Sequence, residues 1–395
     1  MYLGAIQPCP YFPSPKKNMS DMRILFILLL TGFIDISSSA FAQGPSALYP
    51  VKVDGNYGWI DRTGNIVIKP QFDAVYDFSE GLAGVQLAHG KYTRGFVDKT
   101  GALVIPARFD VAGDFSEGLA WAGLDPGKRE LKIGNLTFYQ GSQGSHSFNY
   151  DVGFIDRTGK FVVDPVYRFA RDFSEGLALV ETKAGKYGFI DKTGRIVIAA
   201  DYEWADSFSD GLAPVFVKGR YGFIDKNGKM AIKPRFSDAR RFSEGLAVVK
   251  IGGSVVSAGW GYMKTVRNDG EYGYIDTAGK VLFKFNAGNA HDFSEGIGSI
   301  ELTGDPGTTF IDRSGKKVFY AELSGASNFS DGLVSILNAD GWVWVDKNGN
   351  IALKTGYGRI EDFHDGLARV CESYDFSAKC GYIDKSGKTV WGLTN

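Results

Sequence analysis

Between Leu212 and Pro234 the chain alternates apolar and other residues in three short runs. LAPVFVKG alternates up to Gly219, YGFID follows, KNG interrupts, and KMAIKP resumes the pattern. A period of two places successive side chains on opposite faces of an extended strand, and short Gly-containing interruptions are tight turns. The stretch predicts a three-stranded antiparallel meander. The segment that follows, FSDARRFSEG, keeps a different period, with apolar residues at Phe236, Ala239 and Phe242. Tyr202, Ala205 and Phe208 repeat that spacing, as do Tyr167, Ala170 and Phe173. A period of three suits a helical turn or a tight corner, not a strand. The segment therefore reads as a crossing between meanders, its aromatics plugging the junction. Asp or Glu followed by Gly at its end supplies residues that tolerate positive φ before the next strand begins.

The same unit fills most of the chain. Aspartates in the pattern aromatic-Ile/Val-Asp-x-x-Gly stand at Asp61, Asp98, Asp156, Asp191, Asp225, Asp276, Asp312, Asp346 and Asp384. FSEGL or a near variant recurs between them, starting at Phe78, Phe115, Phe173, Phe208, Phe242, Phe293, Phe329 and Phe363. The expected fold is all-β: a tandem array of nine three-stranded antiparallel units of about 35 residues, stabilised by neighbours because one unit cannot bury its own face. Propellers usually have about 4 to 8 blades of four strands. Nine units with three clear strands each, beginning and ending on whole units, favour an open superhelical β-solenoid; a closed, propeller-like array is the alternative. Two copies are interrupted, at 123–150 and 251–270, and both interruptions lengthen the hairpin loop between the first and second strands. Loops on a rigid scaffold carry binding and catalysis more often than the scaffold does, although an exposed tip also tolerates insertion without function.

YGFIDKTGRIVI with FSEGLA at this spacing resembles the WG (or KWG) repeat, widespread in bacterial proteins and mostly of unassigned function. The resemblance covers roughly residues 47–391. The Trp-Gly pair is Tyr-Gly at 57, 187, 221 and 272, with Arg94-Gly95, Val152-Gly153 and Cys380-Gly381 elsewhere, while Thr309 and Val343 replace the Gly. The family implies no common catalytic residue.

The N-terminus differs from the array. Lys16, Lys17 and Arg23 precede an apolar run from Ile24 to Ile34, and Ala40-Phe41-Ala42 has the form of a signal-peptidase site. The run is shorter than the roughly 20 residues that span a bilayer as a helix. Residues 1–42 are expected to be a secretory signal peptide and 43–395 the array; the Pro-rich start is consistent with an upstream start assignment, Met19 or Met22 being the initiator. The mature chain is then secreted or periplasmic, with no integral membrane segment. Cys371 and Cys380 remain, at the end of one predicted strand and the start of the next. Hairpin pairing would join them in a disulfide, the alternative being two free thiols. A formal net charge of -1 with scattered Lys and Arg leaves no electrostatic footprint for nucleic acid or anionic lipid.

Candidate chemistry is weighed against the repeat. DKTG at Asp191 matches the tetrapeptide around the phosphorylated aspartate of cation pumps, yet nine copies in register read as structural turns in which Asp accepts backbone N–H bonds and Gly closes the hairpin. Lys or Arg within most copies argues against a Ca²⁺ ladder. His89, His146, His291 and His364 follow no pattern, and Glu and Asp interchange at the corner, which a general acid would not tolerate. No catalytic residue, metal site or cofactor is expected. Tyr187, Phe189 and Phe208 read as core stacked between units. Aromatics outside the pattern are the binding candidates: Tyr139, Phe148, Trp260 and Tyr262 in the insertions, and Trp342 with Trp344 in the eighth unit. The expected function is a non-enzymatic scaffold binding a protein or peptide of the cell envelope. A glycan or cell-wall binding module is the alternative, and a hydrolase with its site in the two insertions is a second one.

Overall fold

A computed structural model of the chain describes residues 47–394 apart from 88–92, 126–128, 134–135, 141–149, 254, 258–263, 267–269, 323–327 and 376. No helix occurs among the described residues, and every strand pairing is antiparallel. The fifth unit shows the plan. Leu212–Val217, Arg220–Asp225 and Met230–Phe236 form the predicted meander. A fourth strand of two residues, Trp204–Ala205, adds to its inner side by pairing with Phe216 and Val215. The crossing segment is thus a bent extended chain. Its period of three arises because the backbone turns between the outer strand of one unit and the short strand of the next, which brings Tyr202, Ala205 and Phe208 toward one junction without helical winding.

Eight principal sheets carry nine units. The first sheet has six strands and holds two units, because Ile66–Val75 runs on from the outer strand of the first unit into the short strand of the second.

The array closes into a β-propeller, the arrangement that the unit count had placed second. Corner residues from successive units touch one another, so the corners surround the narrow axis. The outer strands carry the exposed apolar residues, among them Ile66, Leu103, Ile196 and Ile351, and form the rim. Closure is seen in the turn glycines. A side chain at Gly228 would meet Ile198 of the preceding outer strand, and one at Gly387 would meet Leu353. Gly64 of the first unit stands in the same way against Val390 of the ninth. Around the ring, the aromatic two residues before each turn Asp packs on the corner Phe of the following unit, as in Phe189 with Phe208 and Trp344 with Phe363, at 4.8 and 4.9 Å between ring centres. Tyr382 of the last unit meets Tyr49 of the first in that role, at 5.6 Å. Aromatic pairs in such tilted or edge-on contact add about 0.5–1.5 kcal/mol beyond their buried area.

The Gly that follows Tyr in the repeat has a steric cause. Tyr221 pairs with Phe236 and Phe223 with Ile232, so the outer strand carries extra residues that arch over Gly222. A Cβ at Gly222 would lie 2.6 Å from the Ile232 carbonyl oxygen and 2.8 Å from the Pro234 nitrogen. In the seventh and eighth units, where Thr309 and Val343 replace this Gly, the strands pair without that arch. The wide bulge therefore needs a glycine beneath it, while Gly273 of the sixth unit, paired directly with Lys284, shows that the glycine does not need the bulge.

Candidate functional site

The nine turn aspartates share one geometry. At Asp191 the Oδ1 atom accepts from the Thr193 N–H at 3.0 Å, the Thr193 hydroxyl at 2.6 Å and the Arg195 N–H at 3.1 Å. Chiefly through the Thr193 hydroxyl, its pKa is held down at about 2. Such a carboxylate is a satisfied acceptor, spent on holding the turn. Among the described residues, no group of three or more His, Cys, Asp or Glu is placed to hold a metal ion.

The corner carboxylates do more than solvate a turn. Glu175 and Gly176 both have positive φ, 57° and 87°, in a two-residue hairpin closed by reciprocal hydrogen bonds between Ser174 and Leu177. The strained Glu is held by what its carboxylate accepts: the Gly211 N–H of the next corner at 3.1 Å, with Lys226 at 3.1 Å. Glu117 with Lys192, Glu244 with Arg313 and Glu295 with Lys347 repeat the pair. The corner serines add a second link, as in Ser174 Oγ donating to the Phe208 carbonyl at 2.8 Å. Sequence reasoning missed these inter-unit rivets. Their signal was the Lys or Arg that follows so many of the turn aspartates.

Around the axis, the residue before each corner Phe is polar: Asp77, Asp114, Asp172, Ser207, Arg241, Asp292, Asn328 and Asp362. Asp206 bridges three units, lying 3.3 Å from Arg171 and 3.7 Å from Arg241. Burial, helped by the charge of Asp114, pushes the Asp172 carboxyl up to about 6, and burial also raises Asp292 and Asp238. His291, 3.6 Å from Glu301, is pushed down by burial and by Arg240. A carboxyl with a raised pKa is unpenalised below the unfolded value of 3.8; its cost to stability grows as pH rises from there and is complete above about 6. Asp172→Asn is therefore expected to raise stability by up to about 3 kcal/mol at pH 7.5, and by nothing at pH 3.5. Urea unfolding of both proteins across that range checks this, and a gain that does not depend on pH would contradict it.

Both insertions leave the connection between the first long strand and the middle strand. That connection lies at the opposite end of the middle strand from the Asp turn, and so opposite the corners. Each insertion contains a two-stranded ribbon, Arg129–Ile133 with Leu136–Gln140 and Val255–Ser257 with Lys264–Val266. One end of the propeller is thus riveted and regular, and the other carries both ribbons. Tyr139 lies in the strand Leu136–Gln140 of the first ribbon; Phe148, Trp260 and Tyr262 fall outside the described residues. Trp342 is the second residue of the middle strand Gly341–Asp346, on the ribbon-bearing end, and its indole N–H donates to the Tyr374 hydroxyl at 2.7 Å. Tyr374 is 59% exposed, in the loop closed by the Cys371–Cys380 disulfide, whose cysteines are directly paired across the hairpin. Trp344 is corrected from binding candidate to core: it is fully buried. Two residues along the strand from Trp342, it occupies the position of Phe189 and Phe223, and that register takes it into the junction.

The sequence pattern described as the WG containing repeat matches residues 57–92, 95–125, 153–187, 187–221, 221–254, 272–304, 309–342 and 342–373. No curated protein sequence matches. Among solved structures, the chain is similar in fold to the eukaryotic initiation factor, at 12% identity and a TM-score of 0.55, covering 89% of this chain and 98% of that one. It is more distantly similar to the computationally designed Ika8 protein, at 13% identity and a TM-score of 0.40, covering 78% and 95% of the two chains. For BamB from Moraxella catarrhalis the values are 12% and 0.40, covering 82% and 96%. At these identities the likeness concerns fold alone.

Proposed function

This chain belongs to the family of WG-containing repeat proteins, and on that premise we propose that it is an exported, non-enzymatic scaffold that binds a protein or peptide of the cell envelope through the ribbon-bearing end of the propeller. The observation that carries this reading is the placement of the irregularities. Nine units keep one pattern, and both large departures from it lengthen the same connection, so both project from one end. A propeller holds loops of unrelated sequence in fixed relative positions, which lowers the ordering cost of binding. Export is supported by the basic, apolar and Ala-Phe-Ala sequence at the N-terminus and by the paired Cys371 and Cys380, since disulfides persist in oxidising compartments.

The half-buried Trp342 beside the exposed Tyr374 favours a second reading, a glycan-binding surface on the same end. Crosslinking and affinity capture with residues 43–395 from the native envelope, run beside retention on cell-wall and glycan supports, distinguishes the two. Deleting residues 125–149 and 252–270 together is expected to abolish capture while leaving the circular dichroism spectrum and melting temperature nearly unchanged. Undiminished capture by the double deletion would refute the role of the ribbons.

A further inference from the structure

The first unit differs from the others along the edge that faces the axis. In the second to seventh units and the ninth, that edge of the first long strand pairs with a short strand of the crossing that enters the unit, as Phe216 and Val215 pair with Trp204 and Ala205. Among the described residues, nothing pairs with that edge of Tyr49–Val53. By register, Lys52 and Val51 stand at the places of Phe216 and Val215. Counted back from Leu48, the four crossing positions fall on residues 40–43, and signal cleavage after Ala42, the reading on which this inference rests, leaves one of them.

The seventh unit has the same place occupied. There the His291 N–H donates to the Ser299 carbonyl at 2.9 Å, and the Tyr274 hydroxyl of the sixth unit donates to the His291 carbonyl at 2.7 Å. Pro50 holds the register of Ser299 and Tyr382 that of Tyr274, and here the Tyr382 hydroxyl reaches the Pro50 carbonyl directly, at 2.9 Å. A proline at this place does not obstruct a crossing, since Pro214 of the fifth unit accepts from the Asp206 N–H at 3.1 Å.

The other crossings show which side chains fit. The residue that pairs at the Val215 position is alanine in five successive units, Ala112, Ala170, Ala205, Ala239 and Ala290, each of them buried. The residue after it meets charge from both neighbours: Asp206 lies between Arg171 of the preceding crossing and Arg241 of the following one. For the first unit the corresponding neighbours are Glu361 and Asp77, both acidic. Glu361 already holds Arg359 and Arg369, at 2.9 and 3.2 Å, while Asp362 adds a further carboxylate before the flanking corner Phe.

We propose that the first unit accepts, along this edge, an extended segment of a partner protein in which alanine is followed by a basic residue, entering from the ribbon-bearing end. The alanine pairs at Val51 and the basic side chain reaches between Glu361 and Asp77. The backbone N–H of the basic residue takes the Pro50 carbonyl, and Tyr382 turns its hydroxyl to the incoming carbonyl. Strand addition at an unpaired edge draws affinity from main-chain hydrogen bonds and selectivity from the side chains beside them.

The probe is the labelled, amidated peptide Ser-Asp-Ala-Arg-Arg, the sequence of residues 237–241, titrated against residues 43–395 by fluorescence anisotropy. Saturable binding is expected, with slower amide exchange in residues 49–53 and no change in the fifth unit. Peptides with Trp in place of Ala, or with Glu in place of both Arg, should bind about tenfold more weakly or not at all. Asp77→Lys should weaken the Arg peptide and restore the Glu peptide; where that variant loses the parent's circular dichroism spectrum, the peptide comparison and the location of protection on the unaltered chain decide. Absence of saturable binding, equal binding of the Arg and Glu peptides, or protection away from residues 49–53 would each overturn the proposal. Binding that appears only after residues 43–47 are removed would give the place to the chain's own start and overturn it as well. The mass of the N-terminal peptide of the envelope protein tests the cleavage reading by itself, and deletion of the two ribbons should leave peptide binding intact, so each reading can fail separately.

Discussion

Alanine at position 222 is expected to destabilise the protein by about 3 kcal/mol or more, whereas alanine at position 273 costs about 1 kcal/mol. Both glycines follow a tyrosine in a middle strand, and neither has positive φ, so backbone freedom does not separate them. Sterics do. The arch of the fifth unit leaves a Cβ at 222 only 2.6 Å from a carbonyl oxygen and 2.8 Å from the Pro234 nitrogen, all backbone. The sixth unit pairs Gly273 with Lys284 without the arch, and a Cβ there would meet the Phe283 carbonyl at 3.0 Å and a movable methyl of Ile251 at 3.1 Å. Overpacking against backbone that is tied into a ladder costs about 1–3 kcal/mol and occasionally more, since it must shift the strand itself. The arch also seats Phe236, which is buried in the junction with the next unit, so the damage spreads to a neighbour. Denaturant unfolding of the two variants checks the ranking. Equal losses would show that the repeat keeps this glycine for a reason other than the arch.

The same residues show how much was legible in the sequence. Strand positions, turn aspartates and the equivalence of nine units follow from periods of two and three and from the recurrence of Asp-x-x-Gly, because each depends only on neighbours along the chain. The arch was not legible from one copy. It becomes so when Pro70, Pro165 and Pro234 are read against the glycines they cover, since proline inside an apparent strand signals a bulge. Trp344 resembles Trp342 only in residue type; its register with Phe189 and Phe223 puts it in the core. Closure was hidden for a different reason. It depends on the small rotation between neighbouring units, which the aromatic wedges and corner rivets set jointly. A rotation summed around the whole ring cannot be read from any one junction, and nine units of three clear strands gave no hint of the short fourth strand.

The seam between the ninth and first units is where the ring should yield first, and Tyr382 is its pivot. Among the described residues no strand is shared across the seam: Tyr49–Val53 pairs only with Asn56–Ile60, and the last sheet is built from residues 359–394 alone. Among the described residues the first unit has no SEG corner of its own, so the Gly N–H and serine links of other junctions are missing there, and only the cation is kept: Arg62, which follows the first turn Asp, lies against Gly366 of the ninth corner. Two phenols act in their place. Tyr382 donates to the Pro50 carbonyl at 2.9 Å and Tyr49 to the Asp365 carbonyl at 2.8 Å. Burial raises the pKa of both, Tyr49 to about 12, so these donors keep their protons well into the alkaline range. Val51, Ile60 and Leu367 pack around the two rings. Tyr382→Ala is expected to cost about 4 kcal/mol, the usual price of removing a large buried aromatic. Tyr382→Phe, which strands one buried carbonyl, should cost about 1–2 kcal/mol. The loss should be local before it is global: hydrogen exchange in Tyr382→Ala should rise first in residues 49–60 and 380–394, with the fifth unit still protected at the same time point. Reducing Cys371–Cys380, which ties the hairpin holding Tyr382, should deepen that exchange without moving it elsewhere. Uniform exchange through all nine units would instead mean that the ring unfolds as one body and that the seam is as strong as the riveted junctions.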